Sequence, residues 1–401
     1  MTKQVQDAYI VATTRTPVGR APRGMFRNVR PDDMLAHVLK AALAQTPSLD
    51  PKAIDDVIVG CAIPEAEQGM NVARVGLLLA GLPNTIAGLT VNRFCSSGLQ
   101  AVSLAADRIR LGEADLMIAG GTESMSMIPM GGARLSMNEH IFDRNENIGI
   151  GYGMGVTAEK VAEQWKVSRE AQDQFALSSH RKAIAGIESG EFKDEITPYV
   201  IDEKVPDLAA HEVKHKTRTV AVDEGPRADT SLEALAKLRP AFYAKGSVTA
   251  GNSSQTSDGA GAVILASEAA LKQFGLRPLA RFLGFAVAGV PPEIMGIGPK
   301  FAIPKVLKQV GLKQDALDWI ELNEAFAAQS LAVINDLGLD ADRVNPLGGA
   351  IALGHPLGAT GAIRTATLVH GMRRRRHKYG MVSMCVGTGM GAAGVFESLR
   401  D

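Results

Sequence analysis

Three cysteines in 401 residues, Cys61, Cys95 and Cys385, are too few and odd in number for a disulfide framework. None stands in the C-x-x-C spacing of a zinc site, so free, reduced thiols are expected. Net charge is missing too: 43 Lys and Arg balance 43 Asp and Glu. No global field draws such a chain to nucleic acid or to an anionic membrane, and a polyanionic partner must be held by a local site. No hydrophobic run approaches the roughly 18 residues of a membrane span. The opening MTKQVQDAYIVATTRTPVG has neither the apolar core nor the small-residue cleavage site of a secretory signal, and the closing SLRD is not an S-K-L address. Together these absences lead to the expectation of a soluble, cytoplasmic protein. What is plentiful is apolar material, 46% of the chain, enough for more than one core, and glycine, 42 residues. That is about a tenth of the chain against a usual share of about 7%, so tight turns and close backbone approaches are expected.

Strand-like runs at Ala8 to Ala12, Asp56 to Val59 and Leu116 to Ala119 alternate with helical stretches such as Asp33 to Ala44, which reads as an α/β protein in layers. From about Ser124 to Ser247 the rhythm changes to Met- and Gly-rich loops, helices near Thr157 to Trp165 and Glu170 to Ala185, and charged connections including HEVKHKTR. This middle reads as an inserted helix- and loop-rich unit rather than more sheet. The α/β rhythm returns at AVILAS. An internal repeat is visible as well: Val91-Asn92 and Val344-Asn345 each lead through a small-residue turn into a helix, a strand and a Gly-rich end. The second copy carries an extra turn, GHPLGATG. Two related halves would bring both turns to one cleft, and two ordinary, unrelated βα units would give the same pattern.

Cys95 falls where a β-branched run ends and the face Leu99, Val102, Ala106, Ile109 begins a helix. At a helix N-terminus a thiol meets partial positive charge and free N–H groups, which lower its pKa and stabilise an oxyanion. The plain alternative is a buried structural cysteine, although Ser96, Ser97 and Gly98 leave room for a substrate. His355 lies among Gly348, Gly349, Gly354, Gly358 and Gly361 with no charged neighbour in sequence, followed by a proline that biases it to a loop, and is the best general base in the chain. His140, His180, His211, His215, His370 and His377 sit in polar segments and read as surface residues. Cys385 ends the apolar run YGMVSMC. The following Gly389 to Gly394, GMGAAG, matches a dinucleotide fingerprint in form, but only seven residues remain for the helix, strand and acid that a Rossmann unit needs. Those glycines therefore read as a tight loop whose N–H groups line a site. Asn323 stands at a strand-to-helix junction, as an N-cap or as an amide orienting a water or an oxyanion. The RRRR run at 373–376 reads as a solvated helix end.

VNRFCSSGLQAV around Cys95, NEAFAAQ from Asn323, NPLGGAIALGHPLGATGA around His355 and CVGTGMGAAGVFE from Cys385 together resemble the thiolase family, in its order and spacing. With TRTPVGR and GNSSQTSDGA the likeness covers essentially the whole chain. It implies two βαβαβαββ halves related by a pseudo-dyad, in five layers (αβαβα), with an inserted loop domain. The corresponding units are 1–124 completed by about 257–278, a loop domain at 125–256 that covers the active site and binds CoA, and a second half at 279–401. The resemblance also implies an acyltransferase that cleaves 3-oxoacyl-CoA with CoA. Cys95 would be the nucleophile, His355 its base, Cys385 the second acid/base, Asn323 a holder of water at an oxyanion site, and Gly387 a backbone oxyanion donor. Arg227, Ser254, Met154 and Phe326 would meet CoA, which is substrate rather than a permanently bound cofactor, and no metal is expected. The partners implied are CoA, 3-oxoacyl-CoA, further copies in a dimer or tetramer, and a multienzyme of β-oxidation. Short-chain acetoacetyl-CoA thiolases typically carry His before the Met-Gly matched by Met154-Gly155, where this chain has Gly153. GNSSQTSDGA and VPPEIMGIGPKFAIP look like the degradative branch. A catalytically silent, thiolase-like lipid carrier is the alternative from another class.

Overall fold

The computed structural model describes residues 5–399; residues 1–4 and the last two of the SLRD terminus lie outside the described residues. The first part runs β1 (Ala8–Arg15), β2 (Gly19–Arg20), α1 (Pro31–Ala44), β3 (Asp56–Gly60), α2 (Val72–Leu79), β4 (Ala87–Val91), α3 (Ser97–Arg110) and β5 (Leu116–Ser124). The middle holds α4 (Met154–Gln164), α5 (Arg169–Glu188), β6 (Tyr199–Asp207), β7 (Glu212–Val220) and α6 (Leu232–Ala236). Then follow β8 (Ser257–Ala266), α7 (Glu268–Phe274), β9 (Ala280–Gly289), α8 (Gly298–Val310), β10 (Trp319–Leu322), α9 (Ala327–Leu337), α10 (Ala350–Leu353), α11 (Thr360–Arg375), β11 (Tyr379–Val386) and β12 (Met390–Ser398). Local chemistry marks many boundaries. Pro31 opens α1 with Asp32 and Asp33 in its first turn, where a missing N–H costs nothing and negative charge meets the positive helix end. Ser168 caps α5 by accepting from Ala171 N–H.

Among the described residues ten strands form one sheet in the order β10-β11-β12-β9-β1-β8-β5-β3-β4, with β2 on β8. A short seam, Ala8–Ile10 against Ala280–Phe282, joins its two halves. Outward from the seam, β1, β8 and β5 pair antiparallel, and β5, β3 and β4 pair parallel. On the other side β9, β12 and β11 pair antiparallel, β11 and β10 pair parallel, and a parallel bridge from Ile320 to Val344 completes the set. The halves thus match strand for strand, and Val91 and Val344 hold corresponding edge positions. The repeat seen in the sequence is an architectural one.

Each half carries its own outer core. Met34, Leu35 and Leu39 of α1 and Leu77 of α2 close over Val57, Ile118 and Ile264. Ile303 and Val306 of α8 and Val333 of α9 close over Ile320, Met381 and Val395. Between the halves α3 and α11 form a shared middle layer, in which Leu99, Val102 and Ile109 meet Leu368, Val369 and Met372 along with Ile58, Val263, Val382 and Met384 of both sheet faces. The result is five layers, αβαβα. Each large apolar side chain fully buried there contributes about 1.5–3 kcal/mol. The starts of α3 and α11 touch backbone to backbone: a Cβ at Gly361 would lie 2.0 Å from Leu99 N, and one at Gly98 2.7 Å from Ala362 N. Glycine at both positions is what lets the two turns meet.

The middle segment corrects one expectation. HEVKHKTR is no loop; it forms most of β7, which pairs with β6 in a separate two-stranded sheet. With both faces largely exposed, its side chains show none of the alternation by which a half-buried strand is recognised. Buried Arg15 ties this segment to β1, with Nε 2.6 Å from Glu195 Oε1 and Nη1 2.7 Å from Asp223 Oδ1. The arginine run is the exposed end of α11, as expected. Arg374 and Arg375 pair with Glu191, and Arg375 lies over the Trp319 ring.

Candidate active site

A cavity of about 340 Å³ opens where the turn before α3, the turn before α11 and the end of β11 converge, under the middle segment. Cys95, His355 and Cys385 line it together with Ser254, Met154 and Phe326. Sequence positions 290 residues apart, 95 and 385, thus share one space. Cys95 sits in a single 3₁₀ turn, Phe94–Ser96, that bridges β4 and α3. Phe94 holds φ of 42°, a conformation costly for a bulky residue and kept where the surroundings enforce it. Cys385 is the next-to-last residue of β11 and fully buried.

Protonation differs from the expectation drawn from the helix end. Burial in the mostly apolar cavity pushes the Cys95 thiol up to about 11, and the N–H groups of Gly387 and of Cys95 itself, aimed at the sulfur, offset only part of this. Burial likewise raises Cys385, reinforced by the nearby Cys95. His355 is pushed down to about 3, first by burial and then by the Arg364 guanidinium, a charged neighbour supplied by the fold and absent from the local sequence. The resting state is therefore two thiols and a neutral imidazole.

The imidazole is held at both ends. Thr360 Oγ1 donates its only proton to Pro356 O at 2.9 Å, so at 2.6 Å from His355 Nδ1 it accepts. The ring proton is on Nδ1, and Nε2 keeps its lone pair. Asn323 Nδ2 approaches that lone pair at 3.3 Å, and Asn323 Oδ1 is buried without a partner among the described residues. Asn323 does not cap α9, whose N-cap is Phe326. The backbone N–H of His355 donates to Ser257 Oγ at 3.1 Å.

Two buried carboxyl groups that the sequence reading passed over hold the loop that carries His355. Glu123 accepts from Ala62 N at 2.7 Å, Gly358 N at 2.8 Å and the Gln68 amide. Glu324 accepts from Ser179 Oγ at 2.6 Å, Asn345 Nδ2 at 2.9 Å and Ile351 N at 3.2 Å. Burial raises both above the usual carboxylate range. Thr360 and Arg364 were also passed over; a hydroxyl five residues after the histidine was the one available signal.

Arg227 is not in this cavity but in an adjoining one of about 290 Å³ that shares Ser253 and Gln255 with it. His180 lines that second cavity and is buried rather than a surface residue; its Nδ1 accepts from Arg227 N–H at 3.2 Å, and burial lowers it to about 4. His370 is half-buried, its Nε2 3.0 Å from Thr13 O, and His377 is half-buried against Trp319. The GMGAAG stretch is also corrected: the tight turn ends at Gly389, and from Met390 the chain is strand β12, paired on both sides.

Comparison with known proteins gives a consistent picture. The thiolase N-terminal domain family matches residues 8–269 and the thiolase C-terminal domain family residues 276–398. A 3-ketoacyl-CoA thiolase of Bacillus subtilis (strain 168) is 50% identical over 394 residues, covering 98% of this chain and 100% of that protein. The peroxisomal 3-ketoacyl-CoA thiolase A of Mus musculus is 47% identical, over 98% of this chain and 91% of its own length. Among solved structures, the Bacillus anthracis acetyl-CoA acetyltransferase superposes with a TM-score of 0.89 at 42% identity, covering 99% of this chain and all of that one. The human mitochondrial 3-ketoacyl-CoA thiolase gives 0.87 at 40% identity, with the same coverage.

Proposed function

The chain belongs to the thiolase family, and from that premise we propose that it is an acetyl-CoA C-acyltransferase that cleaves 3-oxoacyl-CoA with CoA to acyl-CoA and acetyl-CoA in fatty-acid β-oxidation. The observation that carries the reading is the meeting of Cys95, His355 and Cys385 in one cavity, with Asn323 against the imidazole. A cysteine suits a reversible exchange, since an acyl-cysteine is a thioester nearly isoenergetic with acyl-CoA, whereas a serine ester would be a sink.

His355 Nε2 takes the proton of Cys95 as its sulfur attacks C3 of the substrate. Because the resting thiol and imidazole are both neutral, the proton moves with the attack rather than before it. The new Nε2–H, with a water on Asn323, faces one developing oxyanion, and the N–H groups of Cys95 and Gly387 face the other. The C2–C3 bond breaks, leaving the acyl group on Cys95, and Cys385 gives its proton to C2 of the departing acetyl-CoA enolate. Cys385 then takes the proton of an incoming CoA thiol, whose sulfur lifts the acyl group away, and His355 returns the first proton to Cys95. CoA would extend past Phe326, Met154 and Ser254 toward Arg227. CoA is the co-substrate in this scheme, and no step uses a metal or a resident cofactor.

The units 1–124 with 257–278, 125–256 and 279–401 are taken as the two halves and the covering loop domain. A homo-oligomer, dimer or tetramer, fits the edge strand β4, which pairs only with β3 among the described residues and leaves Leu89 exposed, as are Met70, Leu78 and Leu79. Among the described residues no helix is long and apolar enough to cross a membrane. A cytoplasmic setting is supported by the three free cysteines and the bacterial relative.

The test is CoA-dependent thiolysis of acetoacetyl-CoA and 3-ketohexadecanoyl-CoA, followed by loss of enolate absorbance. Preference for the long substrate is expected. Preference for acetoacetyl-CoA would move the protein to the short-chain branch, a reading favoured by its likeness to the Bacillus anthracis acetyltransferase. Cleavage of neither would point to a silent carrier.

A further inference from the structure

Two glycines line the Cys95 cavity, and packing accounts for only one of them. A Cβ at Gly155 would lie 2.2 Å from the Phe242 ring. Gly153, the N-cap of α4, has φ −62° and ψ 149°, open to any residue, and a Cβ there would meet nothing within 4 Å among the described residues. Neither backbone conformation nor packing asks for glycine at 153. What its missing side chain leaves is space in the cavity.

The surrounding wall is rich in methionine: Met125, Met130, Met154 and Met295. Unbranched thioether side chains repack around apolar groups of different length. Met130 is 53% exposed, so this wall runs out to solvent and does not close the cavity at a fixed depth. Among the described residues no Asp, Glu, Lys or Arg lines the cavity, whereas Arg227 and Asp229 lie in the adjoining one. An uncharged chain therefore suits the first space and a charged nucleotide end the second.

We propose that Gly153 and Met130 determine acyl chain length, the open space at 153 and the rim at Met130 letting the tail of a long 3-oxoacyl thioester leave the cavity toward solvent. This rests on the thiolysis reading above. The test measures kcat/KM for acetoacetyl-CoA and 3-ketohexadecanoyl-CoA in the wild type, Gly153→Leu, Gly153→Phe and Met130→Trp. In Gly153→Phe the long-to-short ratio should fall about tenfold or more, the scale on which a pocket discriminates apolar groups, with a smaller fall in Gly153→Leu. Met130→Trp, at an exposed position that folding tolerates, should lower the ratio in the same direction and decides the matter if the Gly153 variants do not fold. An unchanged ratio overturns the proposal, whether both substrates are lost equally, as when CoA itself is obstructed, or both are retained. A wild type that cleaves only acetoacetyl-CoA overturns it while leaving thiolysis intact. A wild type that cleaves neither overturns the thiolysis reading and this one with it.

Discussion

The turn that follows β4 and the turn that follows Val344 start from the same place in two matching half-sheets, yet they present different chemistry. After Val91-Asn92 the chain takes one 3₁₀ turn and enters α3, which sets Cys95 at the helix start. After Val344-Asn345 it inserts α10 and a Gly-rich loop before α11, and that detour carries His355. The common frame supplies two helix starts in backbone contact. The difference in loop length supplies a thiol from one side and an imidazole from the other. A repeated fold can thus build an asymmetric site, because regular pairing fixes the strands while loop length between them is free.

The sharpest way to break the comparison is to remove each turn's reactive group. Cys95→Ser should lower turnover by several orders of magnitude, and His355→Ala by roughly 10²–10⁴-fold, the usual contribution of a positioned base; steady-state thiolysis and mass spectrometry of the acyl-enzyme report both. Near wild-type activity in either variant would remove that residue from the mechanism.

A finer cut separates the base from what holds it. Thr360→Val deprives Nδ1–H of its acceptor in a buried site, at a cost of about 1–3 kcal/mol, so kcat should fall about tenfold. Thr360→Ser should restore most of it. Equal activity of the Val and Ser variants would mean that the hydroxyl does not select the tautomer.

The smallest effect concerns pH. Because burial and Arg364 depress His355 from 6.5 to about 3, the base stays unprotonated, and kcat/KM should show no acid limb from His355 between pH 8 and about 5.5. The same shift acts on stability with a definite sign. Below pH 6.5 the unfolded chain binds a proton that the folded imidazole refuses, so stability falls as pH drops from 6.5 toward 3. An acid limb near 6.5 in protein that is still folded would contradict the burial of this ring.

Legibility varied from element to element for physical reasons. Cys95, His355 and Cys385 stood out because glycines and small residues stand beside them, and a small-residue turn with one reactive side chain is visible in one dimension; Asn323 stood out by its place at a strand-to-helix junction. β7 was missed because a ribbon exposed on both faces has no apolar alternation. His180 was misjudged because its Ser- and Arg-rich surroundings are polar in sequence, while the segment around Arg227, 47 residues on, closes over it. The Cys95 thiol was expected low and stands high, since the helix end acts on it weakly compared with its removal from water.

By itself the sequence determined the layered α/β character and singled out Cys95, His355, Cys385 and Asn323 as candidates, because periodicity and local composition encode these directly; that the two similar units are matching halves of one sheet was decided by strand pairing. The protonation state of each group, the tautomer of His355, the burial of Glu123 and Glu324 beneath the loop that carries His355 and the open space at Gly153 were decided only in three dimensions. Each depends on what residues hundreds of positions apart place beside one another, and on how much water they exclude.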